Sequence, residues 1–170
     1  AVFALKRPYF AGKMESGRFL VVVLDVSASM QSTDVSPNRL GQAKVEIGKL
    51  IDGMYDSDEM VLILSGGVTE VRQSPTSAKP VLRSALGQAQ ATDSPTRLLD
   101  AIKLAQNLTR NRLKAEVHLF SDGISSDLDT FELQDLNLVY HRVGESGDNL
   151  GIVSLEVRPH PEQANQQAIF

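Results

Sequence analysis

The 170-residue chain has no cysteine and no tryptophan, and aromatic residues make up only 5% of it. Without cysteine there is no disulfide framework, no thiolate zinc site and no cysteine nucleophile, whereas the redox compartment stays open because a cysteine-free chain suits either setting. Long apolar runs are also missing. No stretch approaches the roughly 20 residues that cross a bilayer, and the apolar part of "AVFALKRPYF" is too short for a signal peptide. Lys and Arg gather at most in pairs and the formal net charge is -4, so the electrostatic footprint of a DNA- or RNA-binding surface is lacking. His118, His141 and His160 fall on separate segments without metal-ligand spacing and read as structural or surface residues. There is no Walker A lysine loop, no G-x-G-x-x-G and no G-x-S-x-G elbow. The acidic stretch holding Asp127, Asp129, Glu132 and Asp135 lacks the Gly and bidentate Glu of an EF-hand loop.

What is present is 42% hydrophobic residues, enough for one real core. "RFLVVVLDV" and "MVLILS" are short unbroken apolar runs, the pattern of parallel strands covered on both faces. "AEVHLFSDG" and "LNLVYHRV" are two more. "SPNRLGQAKVEIGKLIDGM" reads as a one-faced helix, with Ser36 as cap, Pro37 in the first helical position, Gly53 near the end, and Leu40, Ala43, Ile47, Leu50, Ile51 and Met54 on one stripe. "TEVRQSP" reads as a polar edge strand joined to "MVLILSGGV" by a Gly66-Gly67 turn. "SAKPVLRSALGQAQ", starting at Ser77, and "SPTRLLDAIKLAQNL", with Leu98, Ala101, Ile102, Ala105 and Leu108 on one face, read as two further helices. Strands alternating with such helices predict an open, mostly parallel, doubly wound α/β sheet with helices on both faces and one short antiparallel edge strand.

In "LDVSASM" the first apolar run ends in Asp25, Ser27 and Ser29 at alternate positions. A period of two sends alternate side chains to one side, so D-x-S-x-S can aim three oxygens at one point. In open α/β sheets ligands bind outside the carboxyl ends of the strands, where this motif lies. Hard oxygen donors suit Mg²⁺ or Mn²⁺, and one carboxylate with two hydroxyls leaves such an ion in need of another anion.

These residues resemble the von Willebrand factor A (VWA) domains, whose metal-ion-dependent adhesion site begins with D-x-S-x-S. Thr96 in "DSPTRLLDAI" and Asp122 in "HLFSDG" match the later Thr and Asp of that site, in the family's order. The resemblance covers about residues 17 to 145 and implies a Rossmann-like VWA fold. It implies a metal site of Asp25, Ser27, Ser29, Thr96 and Asp122 for Mg²⁺, or Mn²⁺ or Ca²⁺, with Ser27 and Ser29 as direct ligands and the other three acting directly or through water. A last position is left for a Glu or Asp of a protein partner. The loop "ATDSPT" departs from the family's Gly-rich lead into the Thr. The family's final amphipathic helix is replaced by "GESGDNLGIVSLEV", a pattern that looks like the membrane-anchored bacterial VWA proteins of the aerotolerance type.

The expected organisation is an N-terminal arm over 1-16, the VWA domain over 17-150 and an alternating β segment over 151-170. That segment is either an edge hairpin or the start of a following β-domain that the sequence truncates, the latter being the expectation. "ALKRPYF" suits the basic, aromatic edge of an upstream membrane segment or an ordinary arm. Three functions remain open: a metal-dependent protein-binding module without catalysis, which is the expectation; a Mg²⁺-dependent phosphohydrolase with Asp25 as nucleophile; and a structural domain with a vestigial site. Against the hydrolase, the aspartyl-phosphate enzymes carry a second acid where this chain has Ser27.

Overall fold

The computed structural model describes residues 17–123 and 136–145, and the backbone of 153–155. The expectations for the arm over 1-16, for the acidic stretch after Asp122 and for His160 lie outside the described residues.

The strand β1, Phe19–Asp25, is buried along its whole length. It pairs in parallel with β2, Glu59–Ser65, on one side and with β4, Ala115–Ser121, on the other. An unbroken run of Val and Leu is what such a central position requires, since both faces are covered. Beyond β4 lies β5, Leu138–Arg142, again parallel. The polar strand β3, Thr69–Thr76, runs antiparallel to β2 at one edge, as expected, with two register shifts and Pro75. Irregularity and proline at an edge discourage pairing with other chains.

At the other edge the three-residue β6, Val153–Leu155, runs antiparallel to β5. The sheet thus has two antiparallel edge strands where one was expected. The alternating pattern of "IVSLEV" had pointed to a half-exposed strand, and an edge is where such a strand fits. Residues 156–170 lie outside the described residues, and with them the expectation of a following β-domain.

The order β3-β2-β1-β4-β5-β6 reverses direction between β1 and β4. On one face pack α1, Arg39–Asp52, and α2, Lys79–Gly87. Leu40, Ala43, Ile47, Ile51, Leu82 and Leu86 meet Leu20, Val22, Leu24, Leu62 and Phe120 there. On the opposite face α3, Leu98–Thr109, sets Leu98, Ala101, Ile102 and Ala105 against Val21, Val23, Val61 and Leu119. Each fully buried Leu, Ile or Val is worth about 1.5–3 kcal/mol relative to exposure, so the two stripes hold the sheet between them. Leu50 and Leu108 are only partly buried at the margins.

The helix starts differ from expectation. α1 is capped by Asn38, whose side chain accepts from the Gly41 N–H at 2.7 Å, so Ser36 and Pro37 both lie before the helix, joined by a cis peptide bond. α2 begins after Ala78 with Pro80 in its first turn; Ser77 does not cap it, and Thr76 Oγ1 accepts from the Ala78 N–H instead, at 3.1 Å.

Candidate metal centre

The strand order reverses between β1 and β4, which brings their two carboxyl ends together; in open α/β sheets this is where loops diverge and ligands bind. Asp25 ends β1 at that point and is fully buried. Its Oδ1 accepts from the Ser27 N–H at 2.9 Å and its Oδ2 from the Ser121 hydroxyl at 2.6 Å. Both donors are neutral, and a carboxylate offers about four acceptor positions, so capacity remains on each oxygen. Ser121 is itself fixed. Tyr140 from β5 donates to its carbonyl at 3.1 Å, and burial raises that phenol to about 12, keeping it a donor at neutral pH.

After Asp25 the chain leaves the sheet through Val26 into a 3-10 turn over Ala28–Gln31. Ser27 is buried while Ser29 is exposed, and their hydroxyl oxygens lie 3.1 Å apart. The motif therefore places one carboxylate and two hydroxyls in a file from the core to the surface.

The loop before α3 lies over this turn. Ala28 N–H donates to the Ser94 carbonyl at 3.1 Å, and Thr92 N–H and its hydroxyl both reach the Val26 carbonyl, at 2.7 and 3.0 Å. "ATDSPT" is thus anchored by backbone to the turn it covers. A Cβ on Gly67 would fall 2.7 Å from Ser94 Oγ, so only glycine lets the β2–β3 turn approach the loop this closely. Thr96 is half-buried, its hydroxyl 3.4 Å from that of Ser65, the residue beside Asp25 in the parallel register.

Asp122 follows Ser121 directly and is half-buried. Its carboxylate turns to Arg39, whose Nη1 donates to Oδ2 at 2.5 Å. Arg39 grips Asp34 as well, Nε and Nη2 donating to the two oxygens at 2.9 and 3.0 Å. Hydrogen bonds from Arg39 hold the Asp34 carboxyl at about 2, against a smaller push from desolvation, with help from the Glu145 N–H. Asp34 is therefore ion-paired to Arg39.

All five expected residues thus stand at one end of the sheet on three segments that touch: the β1 turn, the loop before α3 and the end of β4. Asp25, Ser27 and Ser29 form one group, Thr96 joins it through Ser65, and Asp122 joins it through Ser121 while its own side chain faces Arg39. Sequence reasoning missed Ser65, Ser121 and Arg39. The two serines each end an apolar strand beside Asp25, a signal of the same kind that singled out Asp25, but Arg39 had no local signal because its partner lies 83 residues away.

The donor set is made of oxygens alone, two carboxylates and three hydroxyls, which fits a hard divalent cation. Among the described residues no three His, Cys, Asp or Glu side chains gather as a metal cluster, so any ion here would depend on the hydroxyls. Beside Val26 a groove of about 420 Å³ opens, lined by Gly66, Val68, Thr92 and Ser94 among others. A cavity of about 530 Å³ lies around Thr109, Arg112, Lys114 and Ala115, at the far end of the sheet and away from all of this.

The model of the von Willebrand factor type A domain matches residues 20–124, over half of the chain and the whole of this site. The chain belongs to that family. Domains of the family commonly mediate protein interactions. This VWA domain is 29% identical over 113 residues to a UPF0353 protein of Nocardia farcinica, a match covering 61% of the chain and 34% of that protein. The chain spans about a third or less of the relatives it matches by sequence. Among solved structures it resembles BatB of Bacteroides thetaiotaomicron, with a TM-score of 0.57 and 25% identity over 62% of this chain and 54% of that one. An aerotolerance-related membrane protein of Bacteroides fragilis shares the fold, with a TM-score of 0.62 and 23% identity over 78% and 75% of the two chains. No helix among the described residues is long and apolar enough to cross a membrane.

Proposed function

We propose that this VWA domain is a non-catalytic, metal-dependent protein-binding module. Asp25, Ser27, Ser29, Thr96 and Asp122 hold Mg²⁺ or a similar divalent cation, and a partner protein completes the site with a Glu or Asp. The observation that carries the reading is Asp25: a fully buried carboxylate at the reversal of strand order, held by two neutral donors and followed outward by two hydroxyls. A buried charge is costly without a counter-charge, and a cation at this place supplies one. When bound, the ion supplies Lewis acidity toward an exogenous carboxylate, because only Asp25 and Asp122 offset its charge and Asp122 already shares its own with Arg39.

Hydrolysis through Asp25 has less support. The second acid of the aspartyl-phosphate enzymes is Ser27 here, so no carboxylate stands two residues after Asp25 to act as acid or base. Membrane association of the protein is proposed as well, on the basic and aromatic segment "ALKRPYF" and on its likeness to a protein named as an aerotolerance-related membrane protein.

Calorimetric titration with Mg²⁺ and Mn²⁺ tests the metal reading. Wild type is expected to bind one ion and Asp25→Ala none, and equal heats from the two proteins refute it. Turnover of p-nitrophenyl phosphate that depends on Asp25 would favour the hydrolase instead.

A further inference from the structure

We infer that Arg39 is a positioning residue whose guanidinium, shared between Asp122 and Asp34, sets how tightly the site binds a divalent cation. The inference rests on the metal reading above and adds to it a residue outside the motif. Arg39 opens α1, and its planar fork has three engaged nitrogens: Nε and Nη2 on Asp34, Nη1 on Asp122. Side-chain exposures of 23%, 24% and 15% for Arg39, Asp34 and Asp122 place the triad at the rim, where solvent screens it only in part.

The guanidinium is clamped rather than swinging. Asp34 Oδ2, which takes Arg39 Nη2, also accepts from the Glu145 N–H at 2.9 Å, and Gln42, one turn along α1, accepts from the Gly144 N–H at 3.1 Å. Gly144 has φ +98°, and a Cβ there would fall 2.7 Å from Arg39 Nε. Backbone therefore packs against the guanidinium where a side chain would stand. Four segments, the Asp34 loop, the start of α1, the end of β4 and the turn after β5, are tied at this one group.

Two consequences of opposite sign separate the possible roles. If Arg39 only supports the fold around Asp122, its loss misplaces Asp122 and weakens the metal. If its charge offsets Asp122, its loss returns a full carboxylate to the site and tightens the metal. The distances favour the second, because a fork-held guanidinium 2.5 Å from Asp122 withdraws electrostatic attraction that the ion would otherwise receive, and Asp122 keeps its own tie to the sheet through β4.

The test is Mn²⁺ titration of the full chain followed by electron paramagnetic resonance, with circular dichroism to confirm folding. Arg39→Gln is expected to bind Mn²⁺ roughly tenfold tighter, Arg39→Lys to stay within about threefold of wild type, and Asp34→Asn, which leaves Arg39 to Asp122 alone, to bind several-fold more weakly. In an Asp122→Asn background the gain from Arg39→Gln should vanish. Unchanged or weaker binding by folded Arg39→Gln overturns the inference, and if that variant fails to fold, unchanged binding by Asp34→Asn does so. Wild-type binding that Asp25→Ala abolishes, but that ignores the Arg39 and Asp34 variants, sinks this inference alone. Wild-type binding that Asp25→Ala leaves intact, or none at all, sinks the metal reading and this one together.

Discussion

Asp25 and Ser29 sit four residues apart in one motif, yet the physics assigns them different costs. Asp25 is fully buried and depends on Ser121, whose hydroxyl donates to it at 2.6 Å. Ser121→Ala leaves that carboxylate with one donor, and urea unfolding should show a loss of about 1–3 kcal/mol. Ser29 is exposed, so Ser29→Ala should cost no more than about 0.5 kcal/mol in the same assay while lowering Mg²⁺ affinity in calorimetry. A domain whose motif were only a structural turn would lose stability with Ser121→Ala and show no Mg²⁺ binding for Ser29→Ala to lower. Gly144→Ala belongs to the same scale: the positive φ and the contact with Arg39 predict a loss of about 1–3 kcal/mol in urea unfolding. The motif residues were legible because D-x-S-x-S ends an apolar run, and Thr96 and Asp122 because their order matched a family. Arg39, Ser65 and Ser121 were not, since what defines each is a partner brought near by the sheet.

Among the elements, those set by pattern were readable and those set by long-range contact were not. Seven consecutive apolar or strand-ending residues made β1 and its burial plain, and the helical stripes named most of the residues that α1, α2 and α3 bury. Helix starts were missed where two serines were plausible caps but Asn38 and Ala78 took the place, because cap choice depends on where the preceding loop delivers the chain. Asn38→Ala should cost about 1 kcal/mol, read by thermal unfolding, whereas Ser36→Ala should change little. The alternation in "IVSLEV" gave a strand; its partner β5 was settled by pairing that no local signal reports.

The β4–β5 pair carries a pH dependence. His118 Nδ1 and His141 Nε2 lie 2.9 Å apart, with Phe120 stacked on His141 and Glu116 3.3 Å from His118 Nε2. Burial, and then the neighbouring His118, push His141 down to about 4, with Glu46 of α1 opposing; burial also lowers His118, against Glu116, with a small further lowering from Arg18. The folded state therefore binds fewer protons at His141 than the unfolded state between the ordinary histidine value and about 4. Stability should fall as pH drops through that window, by up to about 1.4 kcal/mol per pH unit for His141, with His118 acting in the same direction, and His141→Gln should flatten the slope. A slope unchanged in that variant would contradict the assignment.

At the scale of the whole molecule, two helical layers over one sheet leave the strand ends as the place where loops can gather polar groups without disturbing the core. The strand order determines which ends: it reverses between β1 and β4, and Asp25 and Ser121 end those two strands. Family membership accounts for the fold and for interaction as a general role, while the proposed metal and the proposed acid of a partner rest on the resemblance of the motif and on the oxygen donors gathered here. Binding to the folded state alone should raise the melting temperature with Mg²⁺ concentration, an effect that EDTA reverses and Asp25→Ala lacks.

The most direct measurement is paramagnetic broadening of backbone amide signals by substoichiometric Mn²⁺ in nuclear magnetic resonance. The account predicts broadening centred on residues 25–29, 94–97 and 121–123, extending to Arg39, and its disappearance in Asp25→Ala. Broadening centred instead on exposed acids elsewhere, such as Asp52 and Asp56, or the same pattern in Asp25→Ala, would contradict it.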